Sequence, residues 1–437
     1  MQIVKILKTL NKKYHKHRFN NLCINSKLCS KGDIFFAIKG KKNDGNNFIN
    51  DAINQGAKTI ISNKISDGYK NNILYLNHKD PRFLLAYFTS EIYKKKPKNL
   101  IAVTGTNGKS SVADFYRQIL NLNNVNCASI GTLGIKSKFS KINTYNTTPD
   151  SIYINKALEK LKKRNIENVI LEASSHGLDQ KRLDNINFST GIFTNFSRDH
   201  LDYHKSYKNY LNSKLKLFKK LLKKNGTIIF DNSINISSHL KKIAKKKKYK
   251  TKFIGNTNGL EVFRHRYLHE IQEVEFKYKS KKYYFKTKLL GYVQIKNLLL
   301  AALAAHKFIS MDKIVKSLNK VNSLSGRLEQ IARLRNRSRV ILDYSHTPDA
   351  LKTCILNIKD QFQHNKISLL FGCGGERDVN KRAMMGKIAN DLCDKIYVTD
   401  DNPRNENPSS IRQQIKKKIK SNKFFEISSR KLALKKS

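Results

Sequence analysis

Short apolar runs alternate along the chain with stretches whose apolar residues recur at helical spacing, and three blocks separate on that pattern. The first ends near Pro97. Within it GDIFFAIKG reads as a buried strand, Asp44–Gly45 turns the chain, a helix is predicted over about 47–55, Gly56 stops it, and a strand follows over 58–62. The second block opens with a strand over 100–103, whose β-branched Ile101 and Val103 run into a glycine turn. ENVILEASSHG predicts another strand over 168–173, and GIFTNFSRDHLDYH a third, both running out into polar residues. The third block begins near Ser325, where strands over 339–342, 367–371 and 395–399 each lead into a polar loop; a helix and a short strand over 424–427 follow. It reads as a second βα array. Strands alternating with helices imply parallel sheets, and ligands of such sheets sit at the carboxyl ends of the strands. The polar clusters of the second block are therefore expected to converge.

The turn after the first strand of the second block reads GTNGKSS, Gly105 to Ser111. It is shorter than the general phosphate loop GxxxxGK[ST], which would need glycine where Val103 stands. The physics survives the shortening. Successive backbone N–H groups form a nest, a helix N-terminus adds partial positive charge, Lys109 reaches the outer phosphates and Ser110 can ligate Mg²⁺. Glu172 and His200 end the next two strands, where a carboxylate and an imidazole suit metal binding or water positioning. His200 and His204 are four apart, but Leu201 stands where a zinc protease needs glutamate. The fold class is thus α/β in three domains: a small α/β domain over 1–97, a central phosphate-loop parallel sheet over 98–324, and a Rossmann-like domain over 325–437.

Composition bounds this picture. A chain of 437 residues, 39% hydrophobic with few Gly and Pro, is globular and too long for one core. Six cysteines without a CxxC pair suggest neither a zinc ribbon nor a disulfide framework, and fit reduced thiols in a cytoplasm. The basic N-terminus lacks the apolar centre of a signal peptide, and no uncharged run is long enough to span a membrane. The 86 lysines and arginines against 33 acidic residues leave a net charge of +53. A nucleic-acid partner would explain that charge, and so would drift in an A/T-rich gene. The lysines are spread over the whole chain and no aromatic stripe accompanies them, which favours drift and argues against a specific nucleic-acid partner.

GTNGKSS, NTTPD (Asn146–Asp150), EASSHGLDQKR (Glu172–Arg182), TNFSRDHLDYH (Thr194–His204), SGRLE, DYSHTPDAL, FGCGGERD and DDNPR follow one another in order, within a likeness that runs from about Ile24 to Arg430. Together they resemble the Mur ligase family, in particular its members that add a third amino acid. The resemblance implies ATP and Mg²⁺ as cofactors and a UDP-N-acetylmuramoyl-dipeptide and meso-diaminopimelate as substrates. ATP phosphorylates the D-glutamyl side-chain carboxylate, and the amine attacks the acyl phosphate, in peptidoglycan precursor synthesis. It further implies that Gly105, Thr106, Asn107, Gly108, Lys109, Ser110 and Ser111 hold ATP, with Gln294, Arg327, Asp343 and His346 on the nucleotide side. Asn146, Thr147, Thr148, Ser174, Gln180 and Arg182 grip the dipeptide precursor, and Ile24, Ser26, Lys41, Lys42 and Asn43 its nucleotide-sugar end. Lys109, Glu172, His200 and Lys214 form the catalytic set. Ser110, Glu172, His200 and a carbamylated Lys214 are the metal ligands; Lys216 competes with Lys214 for that last role. Asp401, Asn402, Pro403 and Arg404 select the amino acid, with Arg404 taking the second carboxylate and Arg377 as a further cation. A monomer is expected.

The chain departs from the family pattern twice. Val293–Gln294 stand where the family shows Phe-Asn, an amide one methylene longer, which predicts weaker adenine binding. The chain also ends at SSRKLALKKS, before the family's GKGHE strand. That predicts an incomplete closing domain with an open sheet edge and reduced activity. The competing expectations are a remnant that binds nucleotide without turnover, a basic nucleic-acid-binding ATPase, and a folylpolyglutamate-type ligase, against which DDNPR and the long first block argue.

Overall fold

The computed structural model describes residues 17–40, 43–256, 258–376 and 378–437. Lys41, Lys42 and Arg377 lie outside them. The first block forms a five-stranded sheet from β1 (Leu22–Cys23), β2 (Ile34–Phe36), β3 (Thr59–Ser62), β4 (Gly68–Lys70) and β5 (Ile73–Asn77), in the order β1-β2-β3-β5-β4 with only β4 antiparallel. Phe19, Ile34, Phe36, Leu74 and Leu76 bury one face against Leu84, Leu85 and Phe88 of helix Pro81–Ile92. That helix starts where the Asp80 carboxylate accepts from Phe83 N and Pro81 supplies a pre-set φ.

The second block is an eight-stranded sheet: β6 (Asn99–Thr104), β7 (Cys127–Gly131), β8 (Gly134–Lys136), β9 (Lys141–Ile142), β10 (Asn168–Glu172), β11 (Phe188–Phe193), β12 (Leu222–Asp231) and β13 (Lys250–Ile254), in the order β13-β12-β11-β6-β10-β7-β8-β9. All pairs are parallel except those of β8 and β9 at one edge. Ile101 and Val103 face helices Lys109–Leu122 and Tyr292–Ala305, while Leu100 and Ala102 face helix Ser151–Lys163 and the opposite core. Burial on both faces explains the unbroken apolar runs. β6 is flanked by β10 and β11, with Glu172 opposite Val103 and Phe193 opposite Thr104. The chain leaves β6 to build one side of the sheet and then the other, so a crevice opens at its carboxyl end.

An antiparallel meander not anticipated from the sequence follows: β14 (Glu261–Leu268), β15 (Ile271–Tyr278) and β16 (Lys281–Thr287). Its signal was available, since Gln272, Val274, Phe276 and Tyr278 alternate inward along β15.

The third block corrects one expectation. Residues 339–342 do form a strand, but not in a parallel array: β18 (Arg339–Leu342) pairs antiparallel with β17 (Glu329–Arg333) as a separate hairpin. The reason is local. A tight turn in which Leu334 N donates to Ser338 O, with Arg337 at φ 65°, returns the chain directly onto its predecessor. The parallel sheet begins after it, as β19 (Ser368–Phe371), β20 (Lys395–Val398) and β21 (Phe424–Glu426) in that order. Its core is Leu351, Ile355, Met385, Ile396, Val398, Ile411 and Ile415. No helix among the described residues is long and apolar enough to cross a membrane.

Candidate active site

Gly105 and Gly108 carry φ of 144° and 80°, conformations that side chains resist. A methyl on Gly105 would overlap Thr194 Oγ1, and one on Gly108 would come within 2.6 Å of Asn297 Oδ1. The end of β11 pins the loop from beside: Thr106 N donates to Asn195 O at 2.9 Å, Asn107 N to Asn195 Oδ1 at 2.8 Å, and Thr194 Oγ1 to Asn107 O at 2.5 Å. Gly108 caps helix Lys109–Leu122 without a side-chain hydrogen bond. The helix therefore presents its positive end to the crevice.

Lys109 Nζ donates to the carbonyls of Gly105 at 3.0 Å and Thr106 at 2.6 Å. Burial pushes its ammonium below the usual lysine range, while Glu172 and Asp199 push back and Arg327 adds to the burial effect. Glu172, at the end of β10, accepts from Ser110 Oγ at 2.8 Å, Thr132 N at 3.0 Å and Thr132 Oγ1 at 3.1 Å. Its pKa is raised by burial, against the opposing pull of Lys109 and these donors. Thr132 Oγ1 in turn meets Thr147 Oγ1 at 3.0 Å. Ser111 is buried in the first turn, and its hydroxyl has no partner among the described residues.

Lys214 lies on helix Tyr207–Lys216, 1% exposed. Its Nζ donates to Gly105 O at 2.6 Å and sits 4.5 Å from the Tyr210 ring centroid. Burial, then the nearby Lys109, drive its pKa well below the ordinary value, and Asp199 only partly opposes them. Lys216, one turn-face away, pairs instead with Asp179 at 2.7 Å. Burial thus separates Lys214, which sequence spacing favoured, from its competitor Lys216.

His200, in left-handed conformation at φ 52°, places Nε2 3.2 Å from Asp199 Oδ2. Burial pushes its imidazole down, against the pull of Asp199, and His176, Lys214 and Lys109 add to the effect. His346 approaches the same carboxylate from the third block at 4.0 Å. Burial opposes ionisation of Asp199, yet His200, His346 and Lys109 hold it below its ordinary range. The His176 ring packs 4.7 Å from His200 and 4.2 Å from Tyr203, and burial lowers it to about 4. Sequence reasoning missed Asp199, Thr132 and His176. Only Asp199 had a signal, an acid beside an imidazole at a strand end.

The other candidate residues divide. Gln294 Nε2 donates to Arg327 O at 3.1 Å and its Oε1 accepts from Asn297, which packs beside Gly108, while the charge of Arg327 acts on Lys109, so both adjoin the loop. Asp343 accepts from Leu328 N and Ser345 N as a turn-forming carboxylate. Thr148 accepts from Ser174 N and donates to Glu172 O, while Arg182 donates to Thr148 O at 2.6 Å and to Gln180 Oε1 at 2.7 Å. Arg82 of the first block reaches the same Gln180 oxygen at 3.4 Å. Asn146 is exposed. Ile24, Ser26 and Asn43 sit in the first block, where Ser26 is buried in a turn capped by Asn25 and Asn43 O accepts from Gly40 N. Asp401, Asn402, Pro403 and Arg404 form the loop after β20; Arg404, at φ 53°, donates from Nη1 to Gly375 O. Arg198, adjoining the central cluster, meets Asp378 of the third block at 3.8 Å.

A phosphate loop whose lysine shares a buried cluster with a carboxylate, an acid–imidazole pair and a second lysine, closed over by a third α/β unit, defines an ATP-dependent amide ligase. Three family models match in order: the Mur ligase family catalytic domain over 18–82, the Mur ligase middle domain over 103–305 and the Mur ligase glutamate ligase domain over 326–437. The chain belongs to the Mur ligase family. A UDP-N-acetylmuramoyl-L-alanyl-D-glutamate–2,6-diaminopimelate ligase of Rickettsia rickettsii is 39% identical over 433 residues, which span 98% of this chain and 89% of the relative. A solved structure of an enzyme of that name superposes with a TM-score of 0.73 at 27% identity, covering 100% of this chain and 90% of that one. The MurF ligase of Thermotoga maritima, solved with ADP, shares the fold with a TM-score of 0.60 at 18% identity, over 93% of this chain and 88% of that one.

Proposed function

We propose that this chain joins meso-2,6-diaminopimelate to the D-glutamyl side-chain carboxylate of UDP-N-acetylmuramoyl-L-alanyl-D-glutamate, with ATP cleaved to ADP and phosphate. It acts as a monomer in the cytoplasm, in peptidoglycan precursor synthesis. The observation that carries the reading is the gathering of Glu172, Asp199, Lys214 and Arg327 around the half-buried lysine of the phosphate loop.

The residues suit both cofactors. Gly105 and Gly108 set the loop at the uncapped N-terminus of helix Lys109–Leu122, and the buried Ser111 hydroxyl in its first turn has no partner among the described residues, an arrangement suited to a triphosphate. Ser110 and Glu172 put two oxygen ligands side by side, the donor type that Mg²⁺ takes. Bound there, Mg²⁺ would neutralise charge on the transferring phosphoryl group. Lys109 exchanges its two backbone carbonyls for phosphate oxygens. The low-pKa amine of Lys214 is neutral enough to add CO₂, which turns it into an anionic oxygen ligand and releases a proton. His200, held neutral by burial and oriented by Asp199, keeps a ring lone pair for a metal ion or a water.

Three domains, over 1–97, 98–324 and 325–437, divide the work. The first holds the nucleotide-sugar end through Ile24, Ser26, Lys41, Lys42 and Asn43. Asn146, Thr147, Thr148, Ser174, Gln180 and Arg182 grip the dipeptide beside the loop, so that its glutamyl oxygen attacks the γ-phosphorus and ADP leaves. In the third domain Arg404, with Arg377, takes the distal carboxylate of the diamino acid; its amine attacks the acyl phosphate and phosphate leaves. Gln294, Arg327, Asp343 and His346 close the nucleotide side.

The test is ADP release by the purified chain with UDP-N-acetylmuramoyl-L-alanyl-D-glutamate plus meso-diaminopimelate, with lysine as control. Turnover that needs all three substrates and prefers diaminopimelate supports the reading; equal use of lysine, or none of either, overturns it.

A further inference from the structure

Arg382 is fully buried, on the first turn of helix Asn380–Leu392. Its guanidinium makes a two-pronged pair with Glu406, Nη1 to Oε2 at 2.7 Å and Nη2 to Oε1 at 2.9 Å. Nη1 also donates to Gln414 Oε1 at 2.8 Å, and Nη2 to Gly374 O at 3.3 Å. Glu406 stands two residues after Arg404, and its carboxylate also accepts from Glu376 N. The fork therefore ties the loop after β19 to the loop after β20 from beneath. Above it the two backbones touch: Gly375 N donates to Asn402 O at 2.9 Å, and Arg404 Nη1 reaches Gly375 O. A methyl on Gly375 would overlap Pro403 O, so there is no slack in the contact.

Nothing in the sequence distinguishes this arginine among 86 basic residues. Burying a guanidinium is costly; here the four bonds from Nη1 and Nη2 offset that cost while Nε has no partner among the described residues, and only a planar fork can hold two carboxylate oxygens, an amide and a carbonyl together. We propose that the Arg382–Glu406 pair is the positioning element that sets Arg404 for the incoming amino acid, and so governs selection of a substrate with a second carboxylate. Arg382 is enclosed, and the pair acts through Arg404. The inference rests on the reading that Arg404 receives that carboxylate. Lysine at 382 keeps the charge but offers one point of attachment, so the loops lose their common reference while the core beneath stays polar and charged.

The experiment compares Arg382→Lys, Glu406→Gln, Arg404→Ala and the double variant Arg382→Lys/Arg404→Ala in the full chain, with folding checked by circular dichroism. KM is measured for diaminopimelate, ATP and the UDP-linked precursor, together with the rate ratio of diaminopimelate to lysine. Arg382→Lys is expected to raise KM for diaminopimelate by about tenfold or more and to shrink the ratio, with the other two KM values within about twofold of the parent. In the Arg404→Ala background the same change adds little, because its effect runs through Arg404. An unchanged KM for diaminopimelate, equal losses for all three substrates, or full additivity overturns the inference. Should Arg382→Lys fail to fold, Glu406→Gln carries the same comparison from the other side of the pair. If Arg404→Ala itself keeps the diaminopimelate preference, the underlying reading falls and this inference with it. If Arg404→Ala loses the preference and neither pair variant does, only the inference falls.

Discussion

Lys214 Nζ donates a hydrogen bond to the carbonyl oxygen of Gly105 at 2.6 Å, across 109 positions of chain. A fully enclosed amine is thereby held against the backbone of the phosphate loop, where the charge of Lys109 adds to the effect of burial and that of Asp199 opposes it. Such an amine is a poor surface cation and a good nucleophile toward CO₂.

Lys214→Met should lose turnover by at least about 10²-fold, since a ligand for the phosphoryl-transfer site disappears. The same variant should match or exceed the parent in thermal denaturation midpoint, because a buried amine gives way to an apolar side chain of similar length. Steady-state ADP release and a melting curve check the two halves. In the parent, the intact mass at raised bicarbonate should carry one added CO₂, absent from the variant.

Glu172→Gln keeps the shape and one acceptor oxygen, for Thr132 N, but removes the charge and the second acceptor oxygen to which Ser110 and Thr132 Oγ1 donate. The expected loss is about 10²–10³-fold in kcat. The Mg²⁺ concentration for half-maximal rate should rise as well, which a magnesium titration reads.

Gly105→Ala forces a side chain onto φ 144° and into Thr194. It should cost about 1–3 kcal/mol of stability. ADP affinity, measured by calorimetry, should weaken by more than the stability loss alone explains, because the loop must shift away from Thr194 to admit the methyl.

His176 gives a pH dependence. Burial is the main cause of its lowered pKa, with His204 and Arg182 adding to it and Asp202 and Asp199 opposing. The folded chain therefore binds fewer protons at this group than the unfolded chain between about 6.5 and about 4. Its contribution to stability is intact above about 6.5 and is lost as pH falls toward about 4. Denaturation midpoints across that window should show the decline. His176→Phe, which keeps a ring against Tyr203 and His200 but cannot titrate, should flatten it.

Arg404→Ala should reduce the preference for diaminopimelate over lysine by at least about 10²-fold, with KM for ATP little changed. Competition between the two amino acids in one assay reads the ratio directly.

Much of the site was legible because it is local. GTNGKSS encodes its own turn, with glycines where φ is positive and a lysine at the helix start, and β10 and β11 end in their polar residues wherever the sheet places them. The hairpin of β17 and β18 was misread as part of the parallel array, because a strand of four residues does not state its partner. Of the residues assigned to the nucleotide side, Gln294 and Arg327 adjoin the loop while Asp343 serves a turn; their sequence neighbourhoods do not tell them apart.

By itself the sequence determined the strand-loop-helix order, the phosphate turn and the acids and imidazoles at the strand ends, since backbone conformation and apolar spacing are set within a few residues. Only the tertiary structure decided which of two lysines is enclosed, which carboxylate faces His200, and which arginine among many rivets the loops beside Arg404. Burial and charge proximity depend on what arrives from distant parts of the chain, and in a molecule so rich in lysine the residue type alone carries almost no information about either.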